Sequence, residues 1–216
     1  MPLEIRRLEE ADVPQFVDIT TAALYSSGMG RALHDDPPHP VHLEQRKEKL
    51  RKALSKPNTH HLKVVDTDNN DEIIAGAIWS FFDNGRSDEE LKELEQPFEP
   101  IEEERERFGA AQKAFFGGYL HRVRRQLGKT PHYFLNLLVT HPNHHRRGAG
   151  GMLVRWGTQQ ADKVGLICFL EASEAGRPLY KRHGFEDQET VVFDFSKYGL
   201  SGTDTNTTMI RQPVKN

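Results

Sequence analysis

Between Tyr133 and Gly151 the chain reads YFLNLLVTHPNHHRRGAGG, an apolar run that gives way to a basic, glycine-rich loop. Gly148, Gly150 and Gly151 let an anion approach the backbone closely, and Arg146 and Arg147 bring positive charge to the same place. Residues 133–139 have the composition of a buried strand, which His141 and Pro142 end. Met152, Leu153, Trp156, Ala161 and Val164 then recur at helical spacing. The loop therefore opens a helix, whose first N–H groups lack intrahelical acceptors and whose dipole favours a negative ligand. That combination of residues serves phosphate binding.

Two phosphate motifs are excluded. A dinucleotide fingerprint needs a third glycine three residues after Gly150, where Leu153 stands, and the strand comes too late for an N-terminal dinucleotide unit. The only Walker-like fragment, Gly128-Lys129-Thr130, has Val123 where the upstream glycine belongs. The loop instead resembles the acyl-CoA pyrophosphate loop of the GCN5-related N-acetyltransferases (GNAT). That pattern is Gln or Arg, two residues, Gly, one residue, then Gly or Ala, and here it reads His145-Arg146-Arg147-Gly148-Ala149-Gly150. The resemblance extends to the Val-x-His-Pro ending of the strand. It also includes LEASEAGRPLYKRHGFE, which is similar to the family's C-terminal signature of a strand, a helix carrying Leu-Tyr, and a Gly-Phe turn. It covers the last third to half of the chain. Two positions depart from the pattern: His145 replaces Gln or Arg, and Ser173, seven residues before Tyr180, replaces the Asn of many relatives.

The resemblance implies a fold and a chemistry. The fold is α/β: a mixed, mostly antiparallel central sheet of about seven strands flanked by helices, with two splayed parallel central strands. Acetyl-CoA is the implied cosubstrate, its pantetheine pairing with main-chain groups of Leu137, Leu138 and Val139. His145, Arg146, Arg147, Gly148, Ala149, Gly150 and Gly151 would hold the pyrophosphate, with Ser173 beside the pantetheine arm. The implied reaction is direct attack of a primary amine on the thioester in a ternary complex. Tyr180 matches the residue whose hydroxyl protonates the departing thiolate, a role a neutral phenol suits. Without the resemblance, Tyr180 reads equally as a core residue beside Leu179 and Phe185. Glu171 is the first candidate for the general base, with Asn136 and His141 next by proximity. Glu171 also fits a salt-bridged carboxylate at a strand end, and His141 fits a cap ahead of Pro142. A reading from another class is an acyl-CoA-responsive regulatory module without chemistry, against which the intact Tyr180 argues.

The remaining elements must position this machinery. Residues 3–8 alternate like a first strand, and residues 10–25 carry helical spacing in Val13, Phe16, Val17, Ile19 and Leu24. A Gly-, Pro- and Asp-rich loop at 26–40 leads to a charged helix over 42–54 with Leu43, Leu50 and Leu54 inward. Residues 61–66 and 72–82 read as paired strands around the turn Thr67-Asp68-Asn69-Asn70. Residues 83–131 form a helical insertion read as two helices, acidic over 87–107, basic and aromatic over 108–129. The acidic half either attracts a cationic acceptor or is a solvated face. Phe115, Phe116, Tyr119 and Leu120 either pack or line an acceptor pocket. Strands follow at 166–170, 189–195 and 207–212.

Composition sets the outer bounds. A chain of 216 residues suits one domain, here the whole of 1–216. A net charge of -3 and a pI near 6.4 argue against nucleic acid or a membrane as partner. The expected partners are a small-molecule amine and, where a homodimer forms, a second copy. The lone Cys168, in an apolar run, reads as a buried strand residue in a reducing compartment. The opening residues lack an apolar signal segment, so a cytoplasmic protein is expected. His60-His61 and His144-His145 are neighbours, which point apart and lack ligand spacing, so no metal site is expected.

Overall fold

A computed structural model of the chain describes residues 2–214. Its centre is one seven-stranded sheet in the order β1-β2-β3-β4-β5-β7-β6. The strands are β1 (Leu3–Arg7), β2 (Thr59–Asp66), β3 (Glu72–Phe82), β4 (His132–Thr140), β5 (Ile167–Ser173), β6 (Glu186–Asp194) and β7 (Thr203–Arg211). Every neighbouring pair is antiparallel except β4 and β5. Sequence explains the placement. β3 carries the near-continuous apolar run EIIAGAIWSFF and lies inside the sheet between β2 and β4, covered on both faces. β6 reads EDQETVVFD, alternates exposed and half-buried positions, and forms an edge.

Helices cover both faces of the sheet. On one side α1 (Val13–Tyr25) and α3 (Pro40–Ala53) pack Phe16, Val17, Ile19 and Leu50 onto Val65, Ile73 and Val139. Pro14 sits in the first turn of α1, where its missing N–H has no partner to lose. On the other side α7 (Ala149–Val164) and α8 (Arg177–Arg182) bury Leu153, Val154, Ala161 and Tyr180 against Trp79, Tyr133, Leu135 and Leu170. Gly157 permits this contact. A Cβ there would stand 2.1 Å from the Trp79 ring, whose Nε1 donates to the Leu153 carbonyl at 3.2 Å.

The insertion differs from the two helices expected. A short α4 (Asp88–Glu93) is followed by α5 (Glu102–Gln112), a π-helical stretch over Lys113–Leu120, and α6 (His121–Leu127), which run on without a break. The ladder runs through Gly109, Gly117 and Gly118, none of which takes a positive φ; the stop comes at Gly128, whose φ is 50°. Phe115, Tyr119 and Leu120 are core, packed with Leu33 of α2 (Gly28–Leu33) and with Phe195. The acidic residues Glu102, Glu103 and Glu106 lie on the solvent side. Glu104 alone among them is buried, held by Gln112 at 2.8 Å and His34 at 3.0 Å.

Candidate active site

The sheet opens where β4 meets β5. Their parallel pairing runs from His132↔Ile167 to Leu135↔Leu170 and stops. Beyond it, Glu171, Ala172 and Ser173 pair with β7 on the far side, and β4 continues to Thr140 paired only with β3. At the same level β4 bulges: Leu137 opposes Ile78 and Leu135 opposes Trp79, which leaves Asn136 as the extra residue. From Asn136 onward the β4 edge that faces β5 therefore presents main-chain groups with no strand beside them.

That opening leads into a cleft of about 620 Å³. Its walls are Leu138, Val139 and Thr140 of β4, the loop from His144 to Gly151, Ser173, and Leu179 and Tyr180 of α8, with Ala23, Ser26 and Ser27 closing one end. Leu137 stays on the strand, but its side chain packs toward α1 and α3. The sequence-predicted residues Leu138, Val139, His145 through Gly151, Ser173 and Tyr180 are thus brought together in one place.

The loop has the geometry of an anion cradle. Gly148 caps α7 with φ 92° and offers no side chain, and Arg146 before it also lies in the left-handed region, at φ 61°. The first N–H of α7 to find a helical acceptor is that of Met152, bonded to Gly148 O at 3.1 Å. The preceding amides point along the helix axis into the cleft, where the dipole reinforces them. A Cβ on Gly150 would face Leu179 at 3.3 Å and Thr140 Oγ1 at 3.7 Å, inside the cleft. Arg146 and Arg182 are exposed on its walls with no ion pair among the described residues.

Arg147 and His145 also make contacts within the protein. Arg147 binds Asp66 at the end of β2 through Nη2 and contacts His144 through Nη1 at 2.8 Å, so its guanidinium anchors the loop to the sheet. That contact holds the Asp66 carboxyl below the usual carboxylate range. His145 sets Nε2 3.1 Å from the Thr140 carbonyl and tethers the loop to the end of β4. Ser173 Oγ accepts from Gly176 N at 3.2 Å and so shapes the turn that aims α8.

Tyr180 is 7 % exposed and sits in the cleft wall beside Phe185, ring centroids 6.0 Å apart. Burial raises its phenol above the ordinary value, so it carries its proton at neutral pH. Glu171, the first candidate for the general base, is ion-paired. Both carboxylate oxygens accept from Arg124 of α6, at 2.7 and 2.8 Å, the salt-bridged arrangement its place at a strand end also allowed. Asn136 donates to Ser80 Oγ at 2.8 Å, and His141 accepts from Asn143 N at 3.3 Å, a capping role. Cys168 is fully buried with its thiol pushed up to about 12 by desolvation, which makes it inert as a nucleophile.

Arg86, Arg124 and Asp66 escaped the sequence reading. Arg86 and Arg124 line a second cavity of about 340 Å³ on the opposite face of the bulge, with Phe134 and Asn136 in its wall. Nothing local marks them, since each acquires its surroundings only through the fold.

Parallel strands that splay apart, with the N-terminus of α7 at their open end, define an α/β protein with a cleft between two strands. Residues 27–185 match the model of the acetyltransferase (GNAT) family, and the chain belongs to that family. Solved structures with similar folds agree. An arylalkylamine N-acetyltransferase-like 5b protein from mosquito has TM-score 0.68 at 14% identity, over 98% of this chain and 100% of that one. A histone acetyltransferase HPA2-related protein of Corynebacterium glutamicum has TM-score 0.61 at 20% identity, over 100% and 99%. The PaiA N-acetyltransferase of Thermoplasma acidophilum, solved with coenzyme A, has TM-score 0.57 at 15% identity, over 98% and 99%. A comparison with curated proteins found no match.

Proposed function

We propose that the chain transfers an acetyl group from acetyl-CoA to the primary amine of a small molecule, by direct attack in a ternary complex. The observation that supports this best is the presence, in one cleft, of the α7 N-terminus capped by Gly148 and the protonated hydroxyl of Tyr180. Acetyl-CoA supplies an activated acyl thioester. The amides of residues 149–151 hold its pyrophosphate with Arg146 alongside, and the free β4 edge at Leu137, Leu138 and Val139 pairs with its amide-bearing arm. An amine enters from the bulge side as the free base. Its nitrogen forms the new C–N bond, its surplus proton passes to solvent, the C–S bond breaks, and Tyr180 gives the sulfur a proton and regains one from solvent. Glu171 orients Arg124 in this account and takes no proton. Arg147 and His145 fix the loop through Asp66 and Thr140.

Thiol release from acetyl-CoA across a panel of amines tests the reaction, beside calorimetric titration with CoA. Gly150→Asp should abolish CoA binding in a folded protein, because the carboxylate enters the cleft while its Cβ displaces only a leucine methyl. Unchanged affinity in that variant overturns the cradle. CoA binding without turnover of any amine would favour the regulatory module.

A further inference from the structure

We propose that the acceptor amine carries an anionic group, and that Arg86 in the second cavity binds it. This rests on the acetyl-transfer reading above and adds the substrate class. The cavity and the CoA cleft flank the same bulge: Asn136 lines the first and Leu138, two residues on, lines the second. An amine that reaches the open β4 edge from the cavity side therefore leaves its remaining groups in the cavity.

Arg86 stands there with most of its guanidinium unpartnered among the described residues. It is 7 % exposed, and its Nε and Nη2 have no partner among the described residues. The guanidinium carbon lies 4.1 Å from the Phe82 ring centroid and 5.6 Å from that of Phe134, and Arg86 lines the cavity. The other charges of the cavity are committed. Arg124 is clamped on Glu171, Lys56 pairs with Glu93 at 3.5 Å, and Glu90 accepts from Asn58 at 2.8 Å and from the backbone of Ser87. Burial, with Arg124 adding repulsion, lowers Arg86 to about 10, still cationic at neutral pH. A buried guanidinium left with donors unused is matched by a carboxylate or phosphate, which accepts two parallel N–H bonds.

The test uses paired amines that differ in the acidic group: phenylalanine and phenethylamine, arginine and agmatine, O-phosphoethanolamine and ethanolamine. Thiol release from acetyl-CoA is measured for wild type, Arg86→Gln and Arg86→Lys, and thermal shift with each amine is measured in the presence of CoA. Wild type should turn over, and be stabilised by, an acidic member over its neutral partner. Arg86→Gln should lose about a hundredfold in kcat/KM for that member while CoA affinity is kept, and Arg86→Lys should recover part of the loss. The carboxylate and phosphate arms separate the two sources of negative charge. Equal response to both members of every pair, no response to any acidic member, or an unaltered Arg86→Gln overturns the proposal. A wild type that fails to bind CoA overturns the reading beneath it instead.

Discussion

The chemistry proposed here depends on one proton, that of Tyr180. Its hydroxyl is buried, and desolvation keeps it neutral, so it donates rather than accepts at physiological pH. Tyr180→Phe keeps the ring against Phe185 and removes only that proton. General acid catalysis contributes roughly 10²- to 10⁴-fold, and a CoA thiolate leaves fairly well unaided, so kcat should fall toward the lower end of that range. CoA affinity, measured by titration, should barely change; wild-type turnover in the variant would reduce Tyr180 to a packing residue. Tyr180 and Gly148 were legible in the sequence because short-range patterns mark them, one by its place before a Gly-Phe turn and one by a glycine spacing. Arg147 and Glu171 were visible as charges but not in their bonds. Their partners Asp66 and Arg124 lie 81 and 47 residues away, and only folding decides whether a charge meets a ligand or another side chain.

At the scale of elements, the position of the cleft depends on α7 lying flat on β3. Gly157 against Trp79 is the point of closest approach. Alanine there would gain about 1 kcal/mol of helix propensity over glycine. Its methyl, however, would stand 2.1 Å from an indole that is fully buried and cannot turn aside, so overpacking of about 1–3 kcal/mol or more outweighs the gain. Gly157→Ala should therefore lower the melting temperature by several degrees in a thermal scan, at roughly 2–4 °C per kcal/mol for a chain of this size. A rise would mean the helix and sheet have slack between them. Period and turn chemistry carried most of the elements: β3 is found over the residues expected, and the other strands within a few residues at either end. The insertion was less legible. Its charge changes sign at Phe108 but its helical period does not, and a continuous hydrogen-bond ladder follows the period.

Across the whole molecule, no helix among the described residues is long and apolar enough to cross a membrane, and the charge is nearly balanced. What the fold buries is more telling than what it displays, because it holds two imidazoles in neutral form. Among the described residues, His61 is 4 % exposed with neither ring nitrogen partnered, and His132 is fully buried with only Nδ1 bonded, to Thr130 O at 2.7 Å. Burial lowers both to about 4 from an ordinary 6.5. The unfolded chain therefore takes up protons on these residues below about pH 6.5, and the native state does so only near pH 4. The unfolded state binds more protons throughout that window, so stability falls as the pH drops through it, by at most about 1.4 kcal/mol per unit for each histidine. The depressed carboxylates of Asp66 and Asp162 act outside this window, since their contribution is lost only as the pH falls below about 3.8. Urea unfolding at pH 7.5, 6.5, 5.5 and 4.5 should give a free energy that is level at the top and declines below 6.5. His132→Gln should be less stable at pH 7.5 yet show a shallower decline, having one proton fewer to take up. A wild-type stability that is flat from 6.5 to 4.5 would show that these imidazoles are charged within the fold.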